Sequence, residues 1–411
     1  MRQLLFIICF FIGQHVTNAQ SRVYLSNIGV VDSLYSNILK ESREIYIQIP
    51  DDYHDNIEKQ YPVAYILDGE VFLPTVQDVF KYYSGGFLPE MVLVGISNAK
   101  HRTRDLTTSK ITSNYGMPYN EENGEAINFI KFIEEELMTY VESQYRVTNY
   151  KTLIGHSYGG LFTVYTLLNH PSLFSNYIAI DPSLDWDNQK LLNEANEKLS
   201  SYNYQGKSLF MSLGGQLHMQ DSDVTIDNVM RDESNFTLFA RSNLTFSEIV
   251  KQNKNNGLFF DWKFYPKDLH GTIAFPSIMD GLISVFEWYQ MENTYKINAF
   301  DTSIEELAKI IKFREEKLKT HFGYSVPPYP EELLNMSGYM NMDMEQMDKA
   351  KMYFDFCIKY YPESANAYDS IADYYERNGD NQSAIKFVTK AFEISKDDYY
   401  KKRIDELKNK K

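Results

Sequence analysis

The sequence predicts an α/β fold with a mostly parallel central sheet, followed by a small all-α helical-repeat region. Three observations lead there. Short β-rich runs alternate with longer amphipathic stretches from about residue 20 to 295. Several of those runs are apolar at nearly every position, as in Met91-Val92-Leu93-Val94-Gly95-Ile96, which suits strands covered on both faces. Beyond residue 300 the strand pattern stops and helical segments repeat.

The elements follow in order. Residues 1–19 read as a signal peptide. Arg2 gives a positive start, residues 4–13 are an apolar run of about ten, too short for a stable membrane span, and Thr17-Asn18-Ala19 resembles a cleavage site. Cleavage after Ala19 would send the protein to the periplasm or outside the cell, with no membrane attachment. Candidate strands lie at 44–49, 63–67, 91–96, 152–155, 177–180, 208–213 and 260–265. Between them, 127–141 places Ile127, Phe129, Ile130, Phe132, Ile133, Leu137 and Val141 among acids, as one amphipathic helix. Strand and helix in alternation predict a parallel sheet covered on both sides, over residues 20–295.

Residues 296–330 read as a helical linker that ends at the stiff breaker Pro327-Pro328-Tyr329-Pro330. Over 331–411 the sequence repeats at about 34 residues, the period of tetratricopeptide helix pairs. Leu334 pairs with Tyr368, Gly338 with Ala372, Ala350 with Ala384, Phe354 with Val388, and Cys357 with Ala391. Small residues stand where two helices of one unit must approach. Two such repeats suit a protein partner, self-association or simple capping of the first domain.

Composition bounds the partners. Lys and Arg total 41 against 56 Asp and Glu, a net charge of −15, which argues against a nucleic-acid backbone as ligand. Of the two cysteines, Cys9 lies in the signal peptide, so the mature chain keeps only Cys357 and no intrachain disulfide.

The chemistry centres on Gly155-His156-Ser157-Tyr158-Gly159. A predicted strand before it and a predicted helix at 160–168 after it force a sharp turn that exposes Ser157 at the start of a helix, where the dipole favours a developing anion. A serine hydroxyl needs a base. His270, in Asp268-Leu269-His270-Gly271 after the late strand, is the expected one. His170 ends the elbow helix, His218 comes too early, and His321 lies in the linker. The supporting acid should follow the strand that ends near Leu213, but Gly214-Gly215-Gln216-Leu217 holds no carboxylate. Asp221, Asp223, Asp227, Asp232 and Glu233 follow; Asp232 is the choice, with a Ser–His dyad as the alternative. Backbone N–H groups of Tyr158 and of Gly69 or Glu70, after the strand at 63–67, are the candidate oxyanion donors.

At these residues the chain resembles the esterase family that includes esterase D, siderophore (enterochelin-type) esterases and feruloyl or acetylxylan esterases. The matching pieces are Tyr65-Ile66-Leu67-Asp68-Gly69, Val94-Gly95-Ile96-Ser97-Asn98, the Arg102–Thr107 stretch, Ile154-Gly155-His156-Ser157-Tyr158-Gly159-Gly160 and Asp268-Leu269-His270-Gly271. The resemblance implies an α/β-hydrolase fold and ester hydrolysis with no metal or organic cofactor. It also implies that Arg102, Arg104 and Asp105 border the substrate pocket. Two positions depart from the family pattern. Asp181-Pro182-Ser183 stands where Ser-Pro-Ser is usual, and Asp185 stands where a bulky aromatic is common; both should flank the site. The expected activity is serine-dependent cleavage of carboxylic esters, with siderophore or acylated-glycan esters as candidate substrates. Acyl transfer on the same scaffold and a non-catalytic, repeat-mediated binding protein are the competing readings.

Overall fold

The computed structural model describes residues 29–54, 57–297 and 299–409. The expected signal peptide lies outside the described residues. Among the described residues there are ten strands: β1 Val30–Ser36, β2 Glu41–Gln48, β3 Tyr61–Leu67, β4 Val92–Ile96, β5 Ser113–Asn114, β6 Met117–Pro118, β7 Val147–His156, β8 Asn176–Ile180, β9 Ser208–Gly214 and β10 Phe259–Tyr265. Eight form one sheet in the order β1-β2-β4-β3-β7-β8-β9-β10, and β5 and β6 form a separate small hairpin. β1, β2 and β4 pair antiparallel; every other pair in the large sheet is parallel.

The helices of the first domain are α1 Gly69–Tyr82, α2 Arg102–Leu106, α3 Ala126–Lys131, α4 Met138–Gln144, α5 Tyr158–Asn169, α6 Trp186–Ser201, α7 Leu238–Gln252 and α8 Ala274–Val285. They cover both faces of the sheet. Along β3 the side chains alternate between two cores: Val63, Tyr65 and Leu67 join one face, while Ala64 and Ile66 join the other. Every residue of β3 is therefore buried, each large aliphatic contributing about 1.5–3 kcal/mol. The first core packs α3, α4, α5 and α7 residues such as Phe129, Val141, Phe162 and Phe246; the second packs Val76 of α1 and Ile278 of α8. This is the α/β-hydrolase fold.

The helix expected over 127–141 is not uniform. α3 and α4 are joined by a π-helical turn, Phe132–Leu137, which inserts a residue and turns the apolar stripe so that Phe132, Ile133 and Leu137 all stay buried.

Beyond α9 Thr294–Ile297 and α10 Ile304–Phe322 come α11 Glu331–Asp343, α12 Met347–Tyr360, α13 Ala365–Arg377, α14 Asn381–Ser395 and α15 Asp398–Asn409. α11 with α12 and α13 with α14 form helical hairpins, and α15 packs on the last. The repeat is visible in side-chain pairs 34 residues apart, Tyr339 with Asp373 and Arg377 with Asp343. α10 joins the repeats to the first domain. Its Leu307 and Ile311 pack with Leu334, Tyr353 and Cys357 of the repeats, while Leu318 and Phe322 join the core under α1 and α8. Between them the fully buried Arg314 donates to the carbonyls of Pro328 (2.6 Å), Gln290 (3.1 Å) and Gly86 (3.1 Å).

Candidate active site

The parallel strand β7 runs straight into α5, and the single residue between them is Ser157. Its backbone sits at φ 61°, ψ −116°, a conformation that costs a non-glycine residue about 1–3 kcal/mol. Backbone hydrogen bonds hold it there: the Ser157 N–H donates to Ile180 O at the end of β8 (2.9 Å), and its carbonyl accepts from Ser183 N (3.1 Å) and from Leu161 N of α5 (2.9 Å). The turn is so tight that a Cβ on Gly155 would lie 2.3 Å from Gly159 O, and one on Gly160 would lie 2.9 Å from Ile180 O. Gly155 and Gly160 are thus the residues the close approach requires. A Cβ on Gly159 would meet only ordinary contacts, the nearest at 3.5 Å.

His270, on the loop between β10 and α8, reaches Ser157. Its Nε2 lies 3.0 Å from Ser157 Oγ, and its Nδ1 lies 2.6 Å from Asp181 Oδ2. A carboxylate accepts, so Nδ1 carries the proton and Nε2 is left to accept from the serine hydroxyl. Asp181 is almost fully buried. Its second oxygen, Oδ1, accepts from the Gly214 N–H at 2.9 Å, and its own N–H donates to Ser212 O and Oγ, both 3.2 Å away.

The acid expected at Asp232 is corrected by this geometry. Asp232 accepts from Ser234 N (2.7 Å) and Thr237 Oγ1 (3.1 Å), and the bonds to Ser234 hold its carboxyl below the usual range. Its nearest histidine is His218, at 3.8 Å. The carboxylate at His270 is Asp181, at the end of β8, one strand nearer the nucleophile than expected. Its signal in the sequence was the Asp181-Pro182-Ser183 departure, which was read as a pocket feature. Asp181 also satisfies the chain order serine, acid, histidine.

Tyr158 opens α5, and Gly69 and Glu70 open α1. First-turn N–H groups have no acceptor within their own helix and are available to an anion. Arg102 ties the two regions together. Its Nε and Nη2 bind the carboxylate of Asp68 at 2.8 and 2.9 Å, and Nη2 also donates to His156 O at 3.0 Å. The Asp68 N–H donates to Asn98 Oδ1 at 3.0 Å. Arg102 therefore fixes the α1 entry against the serine elbow rather than standing free to bind a substrate.

Arg104 and Asp105 are engaged with other charged residues. Asp105 is fully buried between Arg43 (2.7 Å) and Arg104 (2.8 Å), and Arg104 also binds Glu41. Burial pushes the Asp105 carboxyl up, against the pull of Arg43 and Arg104. The four residues form an ion cluster that docks α2 on β2. Asp185 does lie by the site: it shares a tight turn with Ser183, whose Oγ is 3.4 Å from Ser157 Oγ.

Sequence reasoning gave no role to His156. Its Nε2 donates to the carbonyl of His270 at 2.9 Å, and its ring sits 4.7 Å from the His270 ring and 5.7 Å from Phe72. Burial, with the nearby His270, lowers its pKa to about 4. It is a neutral strut beneath the histidine loop.

Comparison with known proteins agrees with this architecture. The family model described as "Putative esterase" matches residues 36–238, and a tetratricopeptide-repeat model matches residues 365–398. A ferri-bacillibactin esterase of Bacillus subtilis is 31% identical over 38% of this chain and 59% of its own length. A siderophore enterobactin esterase of Emericella nidulans is 30% identical over 41% of this chain and 58% of its own. The chain thus spans less than two thirds of the length of these curated relatives. Among solved structures, an IroE-like serine hydrolase from Shewanella oneidensis superposes with a TM-score of 0.64 at 26% identity, covering 80% of this chain and 99% of that one. Through residues 36–238 the chain is similar to this esterase family, and residues 365–398 resemble a tetratricopeptide repeat.

Proposed function

We propose that this chain is an exported serine esterase that cleaves carboxylic esters through Ser157, His270 and Asp181. The observation that carries the reading is the unbroken relay from Ser157 Oγ to His270 Nε2 and from His270 Nδ1 to Asp181 Oδ2, at 3.0 and 2.6 Å. In the first half-reaction Ser157 Oγ attacks the ester carbonyl as His270 Nε2 takes its proton. The oxyanion accepts hydrogen bonds from the N–H of Tyr158 and of Gly69 or Glu70. The C–O bond to the alcohol then breaks, and His270 returns the proton to the departing alkoxide. In the second half, water gives a proton to His270 and adds to the acyl carbon, and Ser157 leaves reprotonated. Asp181 holds the imidazole tautomer and offsets the charge of the imidazolium.

Siderophore-type esters are the proposed substrates, because the relatives named above are siderophore esterases. The repeats, in this reading, serve as an attached module for a protein partner or for self-association. Export rests on the sequence of residues 1–19. The test is a panel of siderophore lactones, acylated sugars and short chromogenic esters given to the wild type and to Ser157→Ala. Hydrolysis lost by about six orders of magnitude in kcat for Ser157→Ala supports the reading; activity that survives the change rejects it.

A further inference from the structure

The turn that supplies Asp181 also carries a second carboxylate, that of Asp185, only one of whose oxygens is bonded to another residue. The Asp185 Oδ2 accepts from the Tyr115 hydroxyl, but Oδ1 is buried and has no hydrogen-bond partner. Among the described residues no Lys or Arg forms an ion pair with Asp185; Arg102, whose guanidinium lies over one side of the Tyr158 ring at 5.7 Å, is committed to Asp68. Burial raises the Asp185 carboxyl most; the hydrogen bonds from Tyr115 and from its own backbone draw it down, and the charges of His270 and Asp181 are close enough to act on it as well, His270 lowering and Asp181 raising it. A desolvated, half-satisfied carboxylate is costly unless a partner arrives to neutralise it.

The surroundings point to the kind of partner. Tyr115 lies at the turn of the β5–β6 hairpin, at φ 50° and 46% exposed. Tyr158 follows the nucleophile, and its ring meets Trp186 at 5.3 Å; Tyr119 meets the other edge of the same cluster, 5.7 Å from Trp186. The charge of Asp185 also acts on the Tyr158 hydroxyl. Carboxylate and aromatic rings together form an environment that favours a cation over either a neutral group or an anion.

We propose that Asp185, with the rings of Tyr115, Tyr119 and Tyr158, forms a subsite beside Ser157 for a cationic amine carried by the ester substrate. The proposal rests on the esterase reading and narrows its substrate class. The amine sits on either side of the ester, and the two cases are separable with matched pairs. On the acyl side, the p-nitrophenyl ester of 3-aminopropanoic acid is compared with its butanoyl isostere. On the alcohol side, acetylcholine is compared with 3,3-dimethylbutyl acetate.

The readout is the ratio of kcat/KM within each pair, for the wild type, Asp185→Asn and Asp185→Leu. The ratio cancels any loss of folded protein. The wild type is expected to favour the cationic member of one pair by roughly tenfold or more, and both variants to bring that ratio to about one. A wild-type ratio near one in both pairs, or a preference that survives in both variants, overturns the proposal. If the wild type hydrolyses none of the four esters, the siderophore and sugar ester panel given above tests the esterase reading separately. The rates at which amine-bearing and alkyl fluorophosphonates modify Ser157, followed by intact mass, then report the same ratio and decide the subsite by the same criteria.

Discussion

His270 Nδ1 lies 2.6 Å from Asp181 Oδ2, and Asp181 stands at the end of β8, the strand that pairs directly with the nucleophile strand β7. β9, the next strand out, ends at Gly214, whose N–H donates to the other Asp181 oxygen. A Cβ at Gly214 would lie 3.4 Å from Asp181 Oδ2 and 3.3 Å from Asp268 O. A side chain of any size there would compete with Asp181 for the space beside His270. The missing carboxylate after β9 and the unexpected one after β8 are therefore two sides of one arrangement.

Arg102 holds the α1 entry to the serine elbow through Asp68 and His156 O. Arg102→Met should let those two segments drift while leaving Ser157 and His270 in place. Displacements near 1 Å cost about a hundredfold in rate, so kcat should fall by roughly tenfold to a hundredfold with a smaller change in KM. Steady-state kinetics on a short chromogenic ester measures this. A pure rise in KM would show that Arg102 binds substrate instead.

His156 titrates at about 4 in the folded protein, against a reference value near 6.5. Its folded pKa is depressed, so the unfolded chain binds a proton first. The associated stability is present above about pH 6.5 and is lost as pH falls towards about 4, a span of order 2–3 kcal/mol. In urea unfolding at pH 7 and pH 4.5, His156→Gln should lose less stability on acidification than the wild type does. Equal losses would contradict a buried, neutral His156.

Gly338 of α11 faces Phe354 of α12 so closely that a Cβ would lie 2.5 Å from the ring. Gly338→Val should force the hairpin apart and destabilise the repeats by about 1–3 kcal/mol. Thermal unfolding, followed with limited proteolysis of the repeat segment, reads this directly. An unchanged melting profile would mean that the two helices are not packed as described.

Much of this was legible in the sequence, for physical reasons. Strands buried on both faces, such as 91–96, are apolar throughout and announce themselves. The edge strand β1 carries exposed Val30, Val31 and Tyr35 beside polar residues and gave no such signal. The residue inserted at Phe132–Leu137 keeps the same residues apolar, so a one-helix period read straight through it. The elbow at Ser157 and the histidine at 270 could be placed because each is fixed by its own strand end. The acid could not, since β8 and β9 both end beside His270 and only through-space packing decides which supplies the carboxylate. The ion cluster of Arg104 and Asp105 could not be read for a related reason. A run of alternating charges looks the same whether it lines a pocket or closes on Arg43 and Glu41 beneath the surface.

The central claim is that Asp181, and not Asp232, supports His270. The most direct measurement compares ester hydrolysis by Asp181→Asn and Asp232→Asn, both nearly isosteric. Asp181→Asn should leave the fold intact yet lower kcat by about 10⁴-fold, because the amide favours the wrong imidazole tautomer. Asp232→Asn should stay within about twofold of the wild type, its carboxylate being bonded to Ser234 and Thr237. The reverse order of losses, or full activity in Asp181→Asn, would contradict the account.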